Sequence, residues 1–221
     1  MIGRIVTMRM GLSVISLTTL LLTPWSRLVQ AEVAQQSWSS VQIGAGLVSD
    51  QPTSGQIRTL RPPEIKAAQQ ALPGQDLILN HAFRVTLRNF GTCLFVPVAS
   101  HYGEIGGRKL TLNLIREGKV IYTLPSTEAD RKPWTFLEIK AISFTELDFD
   151  GFEDIILLAE YHAGPGGPGS SEPFTLATFY FNQSGQAFRV DEALSRQVSA
   201  RKVTTMEQIE KIIRNELNYL P

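Results

Sequence analysis

The sequence predicts a mainly β protein: an antiparallel sheet or sandwich-like β domain that ends in C-terminal α-helices. From about residue 77, apolar and polar residues alternate in short runs, the period of a strand with one buried face. Turn-forming residues such as glycine and asparagine separate several of these runs. Near the C-terminus, apolar residues recur three and four positions apart, as they do on one face of a helix.

The strand candidates follow one another with short connections, and in chain order they are 83–88, 93–98, 109–116, 119–124, 134–144, 155–161, 174–181 and 187–190. Tight turns at Glu117-Gly118 and at 182–185 predict two β-hairpins. The run at 155–161 is almost entirely apolar, which indicates a central strand. Helices are predicted at 63–72, 191–198 and 205–217, the first after Pro63 and the last after a threonine cap.

The first 31 residues have the pattern of a secretory signal peptide. A short basic start with Arg4 and Arg9 precedes an uncharged apolar stretch, and Val29 and Ala31 stand at the −3 and −1 positions of a cleavage site. Cleavage after Ala31 predicts a periplasmic or secreted protein with no stable membrane anchor. The alternative is an uncleaved anchor, but the apolar stretch is short for a span of about 20 residues and is interrupted by Pro24.

Residues 32–75 are rich in Gln, Ser, Gly and Pro and are interpreted as a flexible lead-in to a β domain at 76–221. Cleavage would remove three arginines and no acid, so the remaining chain would carry a small negative net charge. That balance argues against nucleic acid as a partner, because nucleic-acid binding requires a basic surface. The single cysteine, Cys93, lies in an apolar run and is predicted to be a buried structural thiol.

An acidic loop at residues 146–154 has the spacing of a calcium loop. Oxygen donors stand at alternate positions, and Gly151 occupies the sixth, where a sharp turn is needed. Calcium requires several hard oxygen ligands at once. The predicted ligands are the side chains of Glu146, Asp148, Asp150 and Asp154 and the backbone carbonyl of Phe152. The alternative is an acidic turn without metal, since Asp-Gly is common in turns.

The acidic loop departs from the helix–loop–helix calcium motif. Glu146 replaces the usual Asp at position 1, and Leu157 stands where the twelfth-position Glu would be. The spacing is similar to the strand–loop–strand calcium loops of FG-GAP and VCBS repeats. Those loops come in series, one per propeller blade, whereas this chain has one, so a propeller is not expected.

A glycine- and proline-rich segment, residues 161–173, follows the apolar run and predicts an exposed loop. No lysine follows its last glycine, so the segment is not a phosphate loop. His162 close to Ser170 and Ser171 suggests a hydrolase, but no Gly-x-Ser-x-Gly elbow is present. The three histidines are scattered and lack zinc spacing.

From about residue 110 to 218 the chain resembles the calcium-binding periplasmic proteins related to PliI-type inhibitors of lysozyme and lytic transglycosylase. The resemblance depends on the acidic loop and the glycine-rich segment, within the series 118–125, 144–156, 159–164, 173–174 and 179–181. It implies a non-enzymatic protein that inserts a loop into the glycan cleft of its target. The loop residues carried over are Tyr161, His162, Gly164, Gly166, Gly167, Gly169, Ser170 and Ser171.

The resulting hypothesis is an exported, Ca²⁺-binding protein that binds and inhibits a lysozyme or a lytic transglycosylase. One strand joins the acidic loop to the glycine-rich loop, so we expect calcium to stiffen the scaffold of the binding loop. Two alternatives remain: a calcium-stabilised envelope binding module with another partner, and a hydrolase that uses the glycine-rich loop.

Overall fold

The strands form two antiparallel sheets in a computed structural model that describes residues 57–102, 107–164, 171–184 and 186–217. The signal peptide predicted at 1–31 and the first part of the lead-in, 32–56, lie outside these residues. No helix in the described part of the chain is both long and apolar enough to span a bilayer.

The first sheet has the strand order β1-β3-β4-β5-β6, with β2 pairing to β4. Its strands are β1 (Arg58–Thr59), β2 (Asp76–Leu77), β3 (Phe83–Leu87), β4 (Gly91–Tyr102), β5 (Gly107–Arg116) and β6 (Lys119–Thr123). Glu117 and Gly118 both have positive φ, 52° and 71°, which is the pattern of a type I′ hairpin turn. The predicted hairpin at 109–124 is therefore confirmed.

The second sheet has the order β10-β9-β8-β7. Its strands are β7 (Trp134–Thr145), β8 (Asp154–Ala163), β9 (Phe174–Gln183) and β10 (Ala187–Val190). β8 pairs with β7 on one side and with β9 on the other, so the prediction of a central strand at 155–161 is confirmed. β10 covers only the last part of β9, from Tyr180 to Gln183.

The described part of the chain has four α-helices: α1 (Pro62–Ala71), α2 (Glu128–Arg131), α3 (Glu192–Ser199) and α4 (Met206–Asn215). The side chains of Asp191 and Thr205 accept hydrogen bonds from backbone N–H groups in the first turns of α3 and α4. These caps satisfy donors that have no partner inside a helix. The described part of the chain is thus mainly β with C-terminal helices, as the sequence predicts.

The core has three parts, which order the elements into four layers. The largest cluster lies between the two sheets and includes Phe95 and Phe136. α1 covers the outer face of the first sheet through Ala68, while α3 and α4 cover the outer face of the second sheet. Both faces of β8 are therefore buried, which explains why its sequence is continuously apolar rather than alternating.

The prediction of a flexible lead-in over 32–75 is wrong for its described part. Residues 57–75 are held against the first sheet, because β1 pairs with β3 and α1 packs against β4 and β5. An ion-pair cluster fastens this segment: Glu64 accepts two hydrogen bonds from Arg58, at 2.6 and 2.7 Å, and one from Arg84 at 2.9 Å.

Acid should weaken the attachment of α1. The Arg58 guanidinium lowers the pKa of Glu64 to about 2, below its usual 4.5. A lowered folded-state pKa contributes stability above the unfolded pKa, and that stability is lost as pH falls from about 4.5 to about 2. We expect Glu64→Gln to lower the free energy of unfolding by about 1–2 kcal/mol at pH 7. Urea unfolding at pH 7 and pH 2 checks this, since the two proteins should converge at the lower pH.

Cys93 lies in β4 with only 3% of its surface exposed, and burial raises the pKa of its thiol to about 12. The prediction of a buried structural thiol is confirmed. Reagents cannot reach the sulfur readily, and the reactive thiolate does not form readily there.

Candidate metal centre

The acidic loop connects two long strands of the second sheet. β7 ends at Thr145 and β8 begins at Asp154, and these two residues are paired across the sheet. Between them, Leu147 is 1% exposed and packs into the cluster beneath α3 and α4. The loop is therefore fixed at both ends and anchored by an apolar side chain near its start.

Asp154 is fully buried and accepts two backbone hydrogen bonds. Its Oδ2 accepts from the N–H of Leu147 and its Oδ1 from the N–H of Asn182, both at 2.8 Å. Burial raises the pKa of Asp154 to about 7, and the two backbone donors offset part of that effect. Each oxygen retains a second lone pair, so Asp154 can also face a cation.

Glu146 carries the one orphaned polar atom found among the buried side chains of the described residues. Its Oε1 is inaccessible to solvent and has no hydrogen-bond partner. Burial raises the pKa of Glu146, and the carboxylates of Asp150 and Asp148 raise it further, while the backbone N–H groups of Asp150 and Gly151 offset part of the rise. One oxygen each from Glu146, Asp148 and Asp154 lie within 4.8 Å of one another.

The other two predicted donors are Asp150 and the backbone carbonyl of Phe152. Asp150 is exposed, and its Oδ1 accepts a hydrogen bond from the N–H of Phe152 at 2.9 Å, which closes a local turn. The ring of Phe152 lies beneath the Arg88 guanidinium, with 5.7 Å between the guanidinium carbon and the ring centroid. The structure thus brings together Glu146, Asp148 and Asp154 of the five predicted donors, and the side chains of Asp150 and Phe152 make contacts that shape the loop.

The turn of the acidic loop requires unusual backbone conformations. Phe149 has φ 60° and Gly151 has φ 85°. The positive φ favours glycine at residue 151, and a Cβ there would lie 2.5 Å from Nη1 of Arg88, so this flexible side chain would have to move. Phe149 has no such freedom and leaves 67% of its side chain exposed. The prediction that Gly151 makes the sharp turn is consistent with this geometry.

Polar side chains from other elements hold the loop from outside. Arg88, in the turn between β3 and β4, donates from its backbone N–H to Glu153 and from Nη1 to the carbonyl of Gly151. Asn182 in β9 is fully buried and exchanges two side-chain hydrogen bonds with Asn89, at 2.7 and 3.0 Å. Its Nδ2 also donates to the carbonyl of Glu153.

These supporting residues have no signal in the sequence. Asn89 and Asn182 stand 93 positions apart, and only the packing of the two sheets places their side chains together. Asn89 lies in the turn between β3 and β4 of the first sheet and Asn182 lies in β9 of the second, so the acidic loop is held where the two sheets meet.

The carboxylate cluster fits a hard divalent cation. Calcium–oxygen distances are about 2.3–2.6 Å, so oxygens on opposite sides of one ion lie at most about 5 Å apart. The separations within the cluster satisfy that limit. A bound cation would also supply the missing partner of Glu146 Oε1 and offset the repulsion among the carboxylates.

The glycine-rich loop leaves β8 at the opposite end from the acidic loop. The Gly164 N–H donates to the carbonyl of Pro133 at 2.8 Å, and its carbonyl accepts from Oγ1 of Thr135. The Ser171 hydroxyl accepts from the N–H of Ala163 at 2.9 Å, which ties the two ends of the loop together. Gly166, Gly167, Gly169 and Ser170 lie outside the described residues.

The prediction that Tyr161 belongs to the binding loop is wrong. Tyr161 lies within β8 and is 6% exposed, in edge-to-face contact with Phe136 at a centroid distance of 5.9 Å. Its direction follows from strand alternation, because it continues the inward-facing series of Ile155, Leu157 and Ala159.

His162 and Ser171 are close but are not arranged as base and nucleophile. Nδ1 of His162 lies 2.7 Å from the backbone carbonyl of Ser171, not from its hydroxyl. The Ser171 hydroxyl donates instead to the carbonyl of Glu172. A nucleophilic serine requires its hydroxyl within hydrogen-bond reach of the base. These contacts hold the stem of the loop.

Comparisons of the chain with protein-family models, with curated proteins and with solved structures gave no match.

Proposed function

We propose that this protein binds one calcium ion outside the cytoplasm, and that the ion fixes the acidic loop to the junction of the two sheets. The observation that carries the proposal is the buried Oε1 of Glu146, which lacks any hydrogen-bond donor. Leaving a buried charged acceptor unpaired costs on the order of 1–3 kcal/mol or more. A cation shared with Asp148 and Asp154 removes that cost.

The donor set favours calcium over softer metals. The clustered donors are all carboxylate oxygens, which suit calcium and magnesium, whereas zinc and copper sites use histidine or cysteine. Calcium accepts six to eight ligands in flexible geometry, so water and backbone oxygens can complete an irregular set. The proposed extracytoplasmic location, which rests on the sequence of residues 1–31, supplies calcium at suitable concentrations.

Calcium should raise the thermal stability of the protein. Extracellular calcium modules have dissociation constants on the order of 0.1–1 mM. At 10 mM Ca²⁺ we therefore expect stabilisation of about 1.4–2.7 kcal/mol, a rise in melting temperature of a few degrees. Isothermal calorimetry and thermal unfolding measure both quantities.

Two variants make this test specific. Asp148→Asn should weaken calcium affinity at least tenfold, because it removes one charge from the cluster while leaving the buried hydrogen bonds intact. Glu153→Gln is the matched control, since Glu153 lies in the same loop but bonds to Arg88 rather than joining the cluster. A wild-type protein that shows neither heat nor added stability at 10 mM Ca²⁺ would rule the site out.

We further propose, from the resemblance, that the glycine-rich loop binds and inhibits a lysozyme or a lytic transglycosylase. Contacts among the described residues hold both ends of this loop. Gly164 is bonded to Pro133 and Thr135, while Ser171 is bonded to Ala163, so the loop emerges from an ordered base. A preformed base reduces the entropy lost on docking.

A turbidity assay on peptidoglycan separates this proposal from its two alternatives. Slowed clearing by added lysozymes or lytic transglycosylases supports inhibition. Clearing by the protein alone would indicate a hydrolase, and no effect would favour a binding module with another partner. Repeating the assay in EDTA tests the expected coupling to calcium, because equal inhibition without calcium would contradict it.

A further inference from the structure

A groove of about 700 Å³ runs beside the first half of β9, away from the acidic loop. Its apolar floor includes Trp134, Phe174 and Leu176, and the rings of the first two meet edge to face at 5.1 Å. One wall contains α2, and the other contains the end of α3 with the turn at 200–204. The volume lies in the range of sites that bind small molecules or short peptides.

The groove follows an unpaired strand edge. β10 pairs with β9 only from Tyr180 onward, so no strand among the described residues pairs with the earlier part of β9 on that side. α3 replaces the missing strand for two residues: the Ser195 hydroxyl accepts from the N–H of Phe179, and the Ser199 hydroxyl accepts from the N–H of Ala177. These bonds show that the odd-numbered residues of β9 direct their backbone groups away from β8.

Thr175 continues that outward series beyond the end of α3. Alternation along a strand directs its N–H and C=O to the same side as those of Ala177. Its side chain donates to the carbonyl of Val203, and its backbone N–H and C=O have no partner among the residues that the structure describes. A donor and an acceptor therefore face the groove together.

The charges around the groove leave it without a strong bias of sign. Of its glutamates, Glu128 pairs with Arg196, Glu192 with Arg131 and Glu160 with Lys140. Within the described ranges no ion pair involves Glu172 or Lys202, whose charges are opposite. An uncharged peptide backbone carrying an apolar side chain suits walls whose charges are largely balanced.

We propose that this groove binds an extended peptide segment of a partner protein, which adds a strand to the edge of β9 at Thr175. The peptide exchanges hydrogen bonds with the backbone N–H and C=O of Thr175 and places one apolar side chain over Trp134 and Phe174. Edge pairing supplies affinity that does not depend on peptide sequence, and the apolar floor selects the side chain. This inference is independent of the calcium site.

Capped pentapeptides Thr-Thr-X-Thr-Thr, with X as Leu, Phe, Tyr, Lys or Glu, test the proposal against the ¹⁵N-labelled full chain. We expect the Leu, Phe or Tyr peptides to shift the Thr175 amide resonance and slow its hydrogen exchange at millimolar concentration. Methylating the backbone nitrogens of the best peptide should weaken binding at least tenfold, because the side chain is kept while the strand donors are lost.

Variants of the protein separate edge pairing from simple filling of the groove. Thr175→Pro removes the outward N–H and should weaken peptide binding about tenfold; proline is tolerated at an edge whose N–H faces outward. Thr175→Val is the matched control, since it removes the bond to Val203 but keeps the N–H, and its affinity should stay within about twofold. Ala200→Trp, at an exposed position in the groove wall, should block binding.

Three results would overturn the proposal. If none of the five peptides shifts the Thr175 amide resonance at millimolar concentration, the groove does not bind peptides. Equal binding by the Thr175→Pro and Thr175→Val variants shows that the edge is not used. Shifts at Thr175 that depend on protein concentration without added peptide show that a second copy of the chain occupies the edge instead.

Discussion

Replacing Asp154 with alanine is expected to lower the free energy of unfolding by about 2–4 kcal/mol in the absence of calcium. The substitution leaves the N–H groups of Leu147 and Asn182 without their acceptor in a fully buried position. Each unsatisfied buried donor costs about 1–3 kcal/mol. Loss of the carboxylate's own burial cost, which the pKa of about 7 reveals, offsets part of the total.

Guanidinium unfolding in EDTA measures this change, and Asp148→Asn is its control. Asp148 belongs to the same carboxylate cluster but is exposed, so without calcium its replacement should alter stability by no more than about 0.5 kcal/mol. With calcium both variants should fall further below the parent protein, because both bind the ion more weakly. If Asp154→Ala were as stable as the parent in EDTA, the carboxylate would have no structural role of its own.

Asn182→Leu is expected to destabilise the protein by about 2–4 kcal/mol. The leucine has the same branched shape but is larger, and it cannot bond to Asn89 or to the carbonyl of Glu153. Both would therefore lose a partner at the junction of the two sheets. A network that is only partly satisfied is worse than an apolar contact, because its remaining groups stay desolvated.

The neighbouring substitution Gln183→Ala gives the comparison for Asn182→Leu. Gln183 is exposed, and the network uses only its backbone carbonyl, so a change of about 0.5 kcal/mol or less is expected. Chemical unfolding in EDTA measures both variants without interference from the metal. If both variants lost a similar amount of unfolding free energy, the local backbone would be sensitive to any change. The asparagine pair would then not explain the effect of Asn182→Leu.

The local elements could be predicted because their signals are local. Alternation at 83–88 and 134–144, the Glu117-Gly118 turn and the threonine before α4 each report on a few neighbouring residues. The apolar run in β8 indicated its central place because a strand covered on both faces needs no polar side. The acidic loop is also local, so its clustered carboxylates could be found from spacing alone.

The rest depends on contacts between distant parts of the chain. Ordering of residues 57–75 requires the surface of β4 and β5 and the guanidinium of Arg84, which no property of a Gln- and Pro-rich segment reveals. The placement of Tyr161 was mistaken because composition marks where a loop begins only within a few residues. The β9 groove arises where one short strand stops and a helix takes over, a matter of relative lengths in three dimensions.

Alkylation of Cys93 can report how often the strands around it separate in the native protein. A thiol that is 3% exposed in the strand between β3 and β5, with its pKa raised to about 12, reacts with alkylating reagents only when those strands separate. It is the one cysteine in the chain, so a single mass shift counts each molecule that has opened. The rate of alkylation, measured with and without calcium, would therefore show whether the ion slows opening of the whole domain. An unchanged rate would mean that the ion stabilises only the acidic loop that binds it.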